Sequence, residues 1–167
     1  MTTLKDLDDR PYRLNVGVLL FNEDGHVFVG ERSDTPGAWQ MPQGGIDEGE
    51  DWEIAAFREL EEETGVLADH AKIIRVMDDY LTYDFPPDLK GRAIYRDYKG
   101  QQQKWVAMRF TGKDADINIT GHHEIEFSRW QWVALKDTLD LIVPFKRDVY
   151  EALIKEFSDI AVQYHHN

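Results

Sequence analysis

The stretch GGIDEGEDWEIAAFRELEEETGV, residues 44–66, opens with two adjacent glycines and nears its end with four acids in five residues, Glu59 to Glu63, interrupted only by Leu60. Acids early in this segment suit the positive end of a helix dipole, and Gly65 supplies a C-terminal stop, so a helix is expected from about Asp51 to Thr64. An α-helix advances about 100° per residue, which places Glu59, Glu62 and Glu63 within one arc of about 100°. Phe57 and Leu60 then face elsewhere, toward a core. Massed carboxylates repel and raise one another's pKa unless cations sit among them. Hard oxygen ligands at this spacing suit Mg²⁺ or Mn²⁺, which keep waters and recruit substrate phosphates. Gly44 and Gly45 allow the backbone to run close beside the helix, where the Gly44 carbonyl would add an oxygen ligand. Arg58 is expected to pair with Glu50 or another carboxylate and hold the loop against the helix.

Outward from this segment, RLNVGVLLFN (13–22) is apolar at both alternating sets of positions and reads as a strand covered on both faces. NEDG reads as a turn, HVFVGER as a second strand and SDTPGA as a loop. AKIIRVM, KWVAMRFTG and FSRWQWVAL read as further strands, with Trp130 and Trp132 on one face of the last. The polar stretch from Tyr83 to about Gln102 reads as a long loop. KRDVYEALIKEFSDIA is an amphipathic helix that gathers Val149, Tyr150, Leu153, Ile154, Phe157 and Ile160 on one side. Interleaved strands and helices without a regular βαβ rhythm indicate an α/β fold, a mixed sheet between helices. The 167 residues suit one domain.

Composition narrows the chemistry. The net charge of −13 argues against DNA or an anionic membrane as a non-specific partner, while leaving open a polyanion bound through cations. With no cysteine there is no disulfide, thiolate nucleophile or zinc–sulfur site. MTTLKDLDDR lacks the apolar core of a secretory signal, and no stretch nears the roughly 18 apolar residues of a membrane span. A cytoplasmic protein is expected. Of six histidines, His122-His123 and His165-His166 form adjacent pairs without ligand spacing to a second partner, and no role is assigned to them.

A bare run of acids is usually a solvated helix face. Here the spacing is more specific: Gly44, five residues, Glu50, seven residues, Arg58-Glu59-Leu60, one residue, Glu62-Glu63, one residue, Gly65-Val66. This pattern is similar at every fixed position to the Nudix box, the signature of the Nudix hydrolases. The resemblance implies an α/β/α sandwich with a central mixed β-sheet, in a single Nudix domain over 1–167 with its core at about 12–160 and its box at 44–66. It also implies hydrolysis of a nucleoside diphosphate linked to another group, with Glu59, Glu62 and Glu63 as ligands of more than one divalent cation.

The flanking segments YRLNVGVLLFNEDGHVFVGER, PGAWQMPQGGIDEGED, LTYDFPP, QKWVAMRF, EFSRWQWV and FKRDVYE resemble one branch of that family, from about Tyr12 to Phe157. That branch holds RNA pyrophosphohydrolases and asymmetrical diadenosine tetraphosphate hydrolases, and PGAWQMPQGGI and LTYDFPP lean toward the latter. By the same resemblance Glu126 approaches the metals from a separate loop, as a fourth ligand or general base, with Glu62 as the other candidate base. Arg58 and Glu59 join them in the catalytic group. Arg13, Arg32, Gln43, Tyr83 and Lys104 are expected to contact substrate, chiefly its phosphates, and Phe145 to stack on a nucleobase. Trp39 is expected to pack beside the MPQGG turn. Trp52 stands where many Nudix boxes carry proline or a small residue. Two other readings differ in kind: hydrolysis of another nucleoside diphosphate derivative, and a catalytically silent nucleotide-sensing module. The second would be expected to have lost box carboxylates, and all three are present.

Overall fold

The computed structural model describes residues 9–121 and 124–165, with the side chains of 162–165 left aside. The N-terminal segment before Asp9, both residues of the His122-His123 pair, and His166 with the side chain of His165 lie outside that description.

Strand β1 (Tyr12–Phe21) is the axis of the sheet. Along its length it pairs in parallel with β7 (Gly100–Phe110), from Tyr12↔Gly100 to Phe21↔Arg109. On its other side it meets two antiparallel partners, β2 (Val27–Arg32) and the short β4 (Gln43–Gly45). The two-residue β3 (Trp39–Gln40) and β8 (Phe127–Val133) flank β2, and β5 (Ala71–Val76) and β6 (Leu81–Asp84) both pair antiparallel with β7. One parallel pairing among antiparallel ones makes the sheet mixed, as expected.

Alternation along β1 explains why it must be covered twice. Val16, Val18 and Leu20 are buried on one face with Ala55, Ala56 and Leu60 of helix α1 (Trp52–Thr64). Leu19 and Phe21 are buried on the other with Val149, Tyr150, Leu153, Phe157 and Ile160 of the long C-terminal helix. Full burial of such side chains stabilises the fold by about 1.5–3 kcal/mol each. Leu14, expected inside, is half exposed. Helix α1 ends as expected, with Gly65 in the left-handed conformation and its amide bonded to the Glu61 carbonyl.

The segment 83–102 differs from the expected loop. Tyr83 lies in β6, a short helix α2 (Ala93–Asp97) follows, and β7 starts at Gly100. The strand start is disguised because Gln101 and Gln103 are buried polar residues, Gln101 facing a cavity and Gln103 bonded to Asn15 and Gln43 behind it, rather than members of an apolar core. The final helix, α3 (Arg147–His165), presents the predicted apolar side, with Ile154 only partly buried at its edge. Among the described residues no helix is long and apolar enough to cross a membrane.

Candidate active site

A cavity of about 520 Å³ opens at the N-terminal half of β1, bounded by β4, α1, β6, the 86–97 segment and the start of α3. Its lining includes Arg13, Arg32, Gln43, Gly44, Glu59, Glu62, Glu63, Tyr83, Glu126 and Phe145, so most of the residues singled out in the sequence meet around one space.

The carboxylate wall depends on the paired glycines. Successive residues of a strand point to opposite faces. A Cβ on Gly44 would collide with the Glu59 carboxylate, and one on Gly45 with the Arg13 guanidinium. One glycine therefore admits an acid from the helix side and the next admits a base from the sheet side. Arg58 fastens the two elements. Its Nε and Nη2 grip both Glu50 oxygens at 2.8 Å, Nη2 also donates to the Gly45 carbonyl at 2.9 Å, and Nη1 reaches Glu59 at 2.8 Å and Glu62 at 3.3 Å. This bidentate grip holds the Glu50 carboxyl down at about 2.

Glu59 and Glu63 lie deeper than Glu62, which is exposed. Burial raises the pKa of Glu59 against the pull of Arg58. Glu63 is raised well above the carboxylate range, first by burial and then by the charges of Glu126 and Glu59. Its Oε2 is buried with no hydrogen-bond partner. A buried carboxylate oxygen without a donor, beside two more carboxylates, fits a cation as the missing partner. The residues thus fit Mg²⁺ or Mn²⁺, although among the described residues no three acidic side chains are gathered into a preformed cage. Glu126 sits immediately before β8, in a segment tied to the end of β2 by Ser33, whose Oγ donates to the Ile125 carbonyl at 2.6 Å and whose amide donates to the Glu126 carbonyl at 2.9 Å, and it lines the same cavity.

The opposite wall is cationic and aromatic. Arg32 lies at the end of β2, gripped by Asp34 at 2.9 and 2.7 Å. Tyr83 is buried and accepts a hydrogen bond from Gln101 at 2.7 Å; burial pushes its phenol to about 12. Phe145 stands 5.7 Å from the Tyr83 ring, half-buried in the turn that precedes α3. Beneath them Gln103 donates to Asn15 at 3.0 Å and to Gln43 at 2.9 Å, and accepts from Trp105. This amide chain fixes Gln43 on the cavity floor.

Lys104 is the exception. Strand alternation turns it to the α1 side of β7, away from Gln101 and Gln103, and it does not line the cavity. Its ammonium donates to the Asp78 carbonyl at 3.2 Å and lies near the rings of Tyr80 and Trp52. Trp39 packs against the α3-side core with Arg129 over its ring. Sequence reading missed Gln40, Gln101 and Lys146. Lys146 was legible in principle, since it continues the inward stripe Val149, Tyr150, Leu153 one turn toward the N-terminus.

Comparison with known proteins gives a consistent picture. A family model described as NUDIX domain matches residues 11–153. The chain is 52% identical over 157 residues to an RNA pyrophosphohydrolase of Erythrobacter litoralis, covering 93% of this chain and 96% of that protein. It is 51% identical over 158 residues to an RNA pyrophosphohydrolase of Dinoroseobacter shibae, covering 94% and 98%. Among solved structures, a C. elegans Ap4A hydrolase binary complex is similar with a TM-score of 0.63 and 21% identity, over 89% of this chain and 98% of that one. The E. coli dihydroneopterin triphosphate pyrophosphohydrolase gives 0.67 and 20%, over 88% and 99%. These last two are likenesses of fold.

Proposed function

Because the chain belongs to the Nudix family, we propose that this pyrophosphohydrolase removes pyrophosphate from 5′-triphosphorylated RNA, leaving a 5′-monophosphate end, and also splits dinucleoside polyphosphates, diadenosine tetraphosphate giving ATP and AMP. The observation that carries the reading is a single cavity with a carboxylate wall, including the orphaned Glu63 oxygen, facing Arg13 and Arg32. The names of the half-identical relatives favour RNA as the first substrate to test, against the lean toward dinucleotides drawn from PGAWQMPQGGI and LTYDFPP.

Glu59, Glu62 and Glu63, with Glu126 and the Gly44 carbonyl, would hold Mg²⁺ or Mn²⁺, more than one ion per site. Bound there, the cation supplies charge neutralisation at the phosphoryl oxygens and a water of lowered pKa. Glu126 or Glu62 would take the proton from the attacking water as its oxygen bonds to phosphorus and the bond to the leaving phosphate oxygen breaks. Arg58 keeps Glu59 and Glu62 in place. Arg13 and Arg32 bind phosphate oxygens, while Gln43 and Tyr83 define the floor and Phe145 offers a ring face that accepts any base. Lys104 is left out of the substrate contacts. We take residues 1–167 as one Nudix domain acting in the cytoplasm, without membrane or DNA partners. Local arginines, rather than the overall charge of −13, then attract the RNA end.

The test is kcat/KM in one Mg²⁺ buffer for a short 5′-triphosphorylated RNA and for diadenosine tetraphosphate. Turnover of either with the products named supports the reading, and the ratio sets the preferred substrate. Failure to hydrolyse both would overturn it.

A further inference from the structure

Lys146 is 3% exposed, yet no ion pair joins it to a carboxylate among the described residues. Its ammonium donates to Gln40 Oε1 at 2.9 Å, and Arg32 Nη1 approaches the same oxygen at 3.5 Å. Gln40 is itself 3% exposed, and all three residues line the cavity. The rings of Tyr83 and Phe145 lie 5.9 and 6.0 Å from the ammonium and shield it from water. Two cations thus converge on one neutral oxygen, an arrangement that repels itself. Arg32 has Asp34 as its ion-pair partner, whereas burying a lysine with no carboxylate in direct contact costs stability, so packing alone does not account for it. An anion placed between the two cations does.

We propose that Lys146, Arg32 and Gln40 form an anion subsite that anchors a substrate phosphate other than the one under attack. The inference rests on the proposed pyrophosphohydrolase reading, and it assigns Lys146 to binding rather than to the chemical step. The geometry has a titration consequence. Burial first, and the neighbouring Arg32 second, lower the Lys146 ammonium to about 7, while Glu63 of α1, Glu126 before β8 and Asp34 of the 33–38 loop pull the other way. Tyr83 of β6, raised by burial, stays neutral beside it. A bound phosphate favours the charged ammonium, so affinity at this subsite weakens as pH rises through neutrality.

The experiment compares the wild-type chain with Lys146→Met and Lys146→Arg. Methionine fills the space without charge, so its melting temperature is expected to equal or exceed that of the wild type. For the RNA, KM should rise about 10- to 100-fold in Lys146→Met while kcat changes less than about threefold, as expected for one lost charge-assisted hydrogen bond. The wild-type rise in KM between pH 6.5 and 8.5 should flatten in Lys146→Met, and Lys146→Arg should restore much of the affinity. An unchanged KM, or a fall confined to kcat, overturns the proposal.

Calorimetry with Mg²⁺ and two probes, inorganic pyrophosphate and the dinucleotide pApG, tests the subsite independently of turnover. Weakened binding of both probes by Lys146→Met places a phosphate of the terminal chain there. Weakening of pApG alone places the internucleotide phosphate there. Equal binding of both probes by wild type and Lys146→Met rejects the subsite even if the wild type hydrolyses RNA, and a wild type inactive on RNA that loses probe binding in Lys146→Met upholds the subsite while removing the proposed activity.

Discussion

Gly44 has no room for a side chain because the Glu59 carboxylate occupies the space where its Cβ would stand. Gly45, one residue on, stands in the same relation to the Arg13 guanidinium on the opposite face. The two substitutions should therefore fail differently. Gly44→Ala displaces a carboxylate of the proposed metal site and is expected to lower kcat about 100-fold, the cost of misplacing a group by about 1 Å. Gly45→Ala displaces a phosphate-binding arginine and is expected chiefly to raise KM, about tenfold or more. Steady-state kinetics of the two variants on the same RNA separates them, and matching losses in kcat would count against the assignment of Arg13 to binding.

Glu62 is the most exposed of the three helix carboxylates, and its bonds are the long ones to Arg58 at 3.3 and 3.4 Å. Glu62→Gln should leave the fold nearly intact and lower kcat by about 10³-fold or more, the several kcal/mol that a correctly held cation supplies. Retained activity in a well-folded variant would remove Glu62 from the ligand set.

Glu63 carries the opposite stability signature. Its folded pKa is raised, so the protonated form suits the fold, and its contribution is favourable below the usual carboxylate pKa and lost as pH rises. At neutral pH, Glu63→Gln should raise Tm in chelator by about 2–4 °C, the shift per kcal/mol for a chain of this size. The same variant should lose most of the Tm gain that Mg²⁺ confers on the wild type. Differential scanning calorimetry with and without Mg²⁺ checks both arms, and an undiminished Mg²⁺ gain in the variant would exclude Glu63 as a ligand.

Glu50, held at about 2 by Arg58, behaves in the usual carboxylate sense. Its pairing stabilises the fold above the unfolded pKa near 4.5 and is lost as pH falls toward 2. Glu31, held by Arg129, and Asp34, held by Arg32, add to the same window. Thermal melts of the wild type should drop steeply between pH 4.5 and 2. Arg58→Met frees Glu50 of its partner, so the variant should start from a lower Tm at pH 7 and lose less on acidification. Parallel curves for the two proteins would show that the Arg58–Glu50 grip is not what titrates.

Much of the site was readable along the chain because local periodicity decides it. The 3.6-residue repeat puts Glu59, Glu62 and Glu63 on one side of α1 and Leu60 on another, whatever the helix packs against. The double alternation of β1 likewise demands cover on both faces, and Gly65 ends the helix through its own backbone freedom. What local pattern could not decide was who meets whom. The parallel register Tyr12↔Gly100 brings Arg13 beside Gln101, and only that long-range pairing turns a glutamine in an apparently polar loop into a buried part of the cavity wall. The same register points Lys104 away from the site that its charge suggested. Lys146 lies on a stripe that sequence alone reads as apolar packing. Its burial beside Arg32 and Gln40 follows from where the turn before α3 meets β3 and the end of β2, and such contacts between distant segments are set by packing rather than by the periodicity of either one.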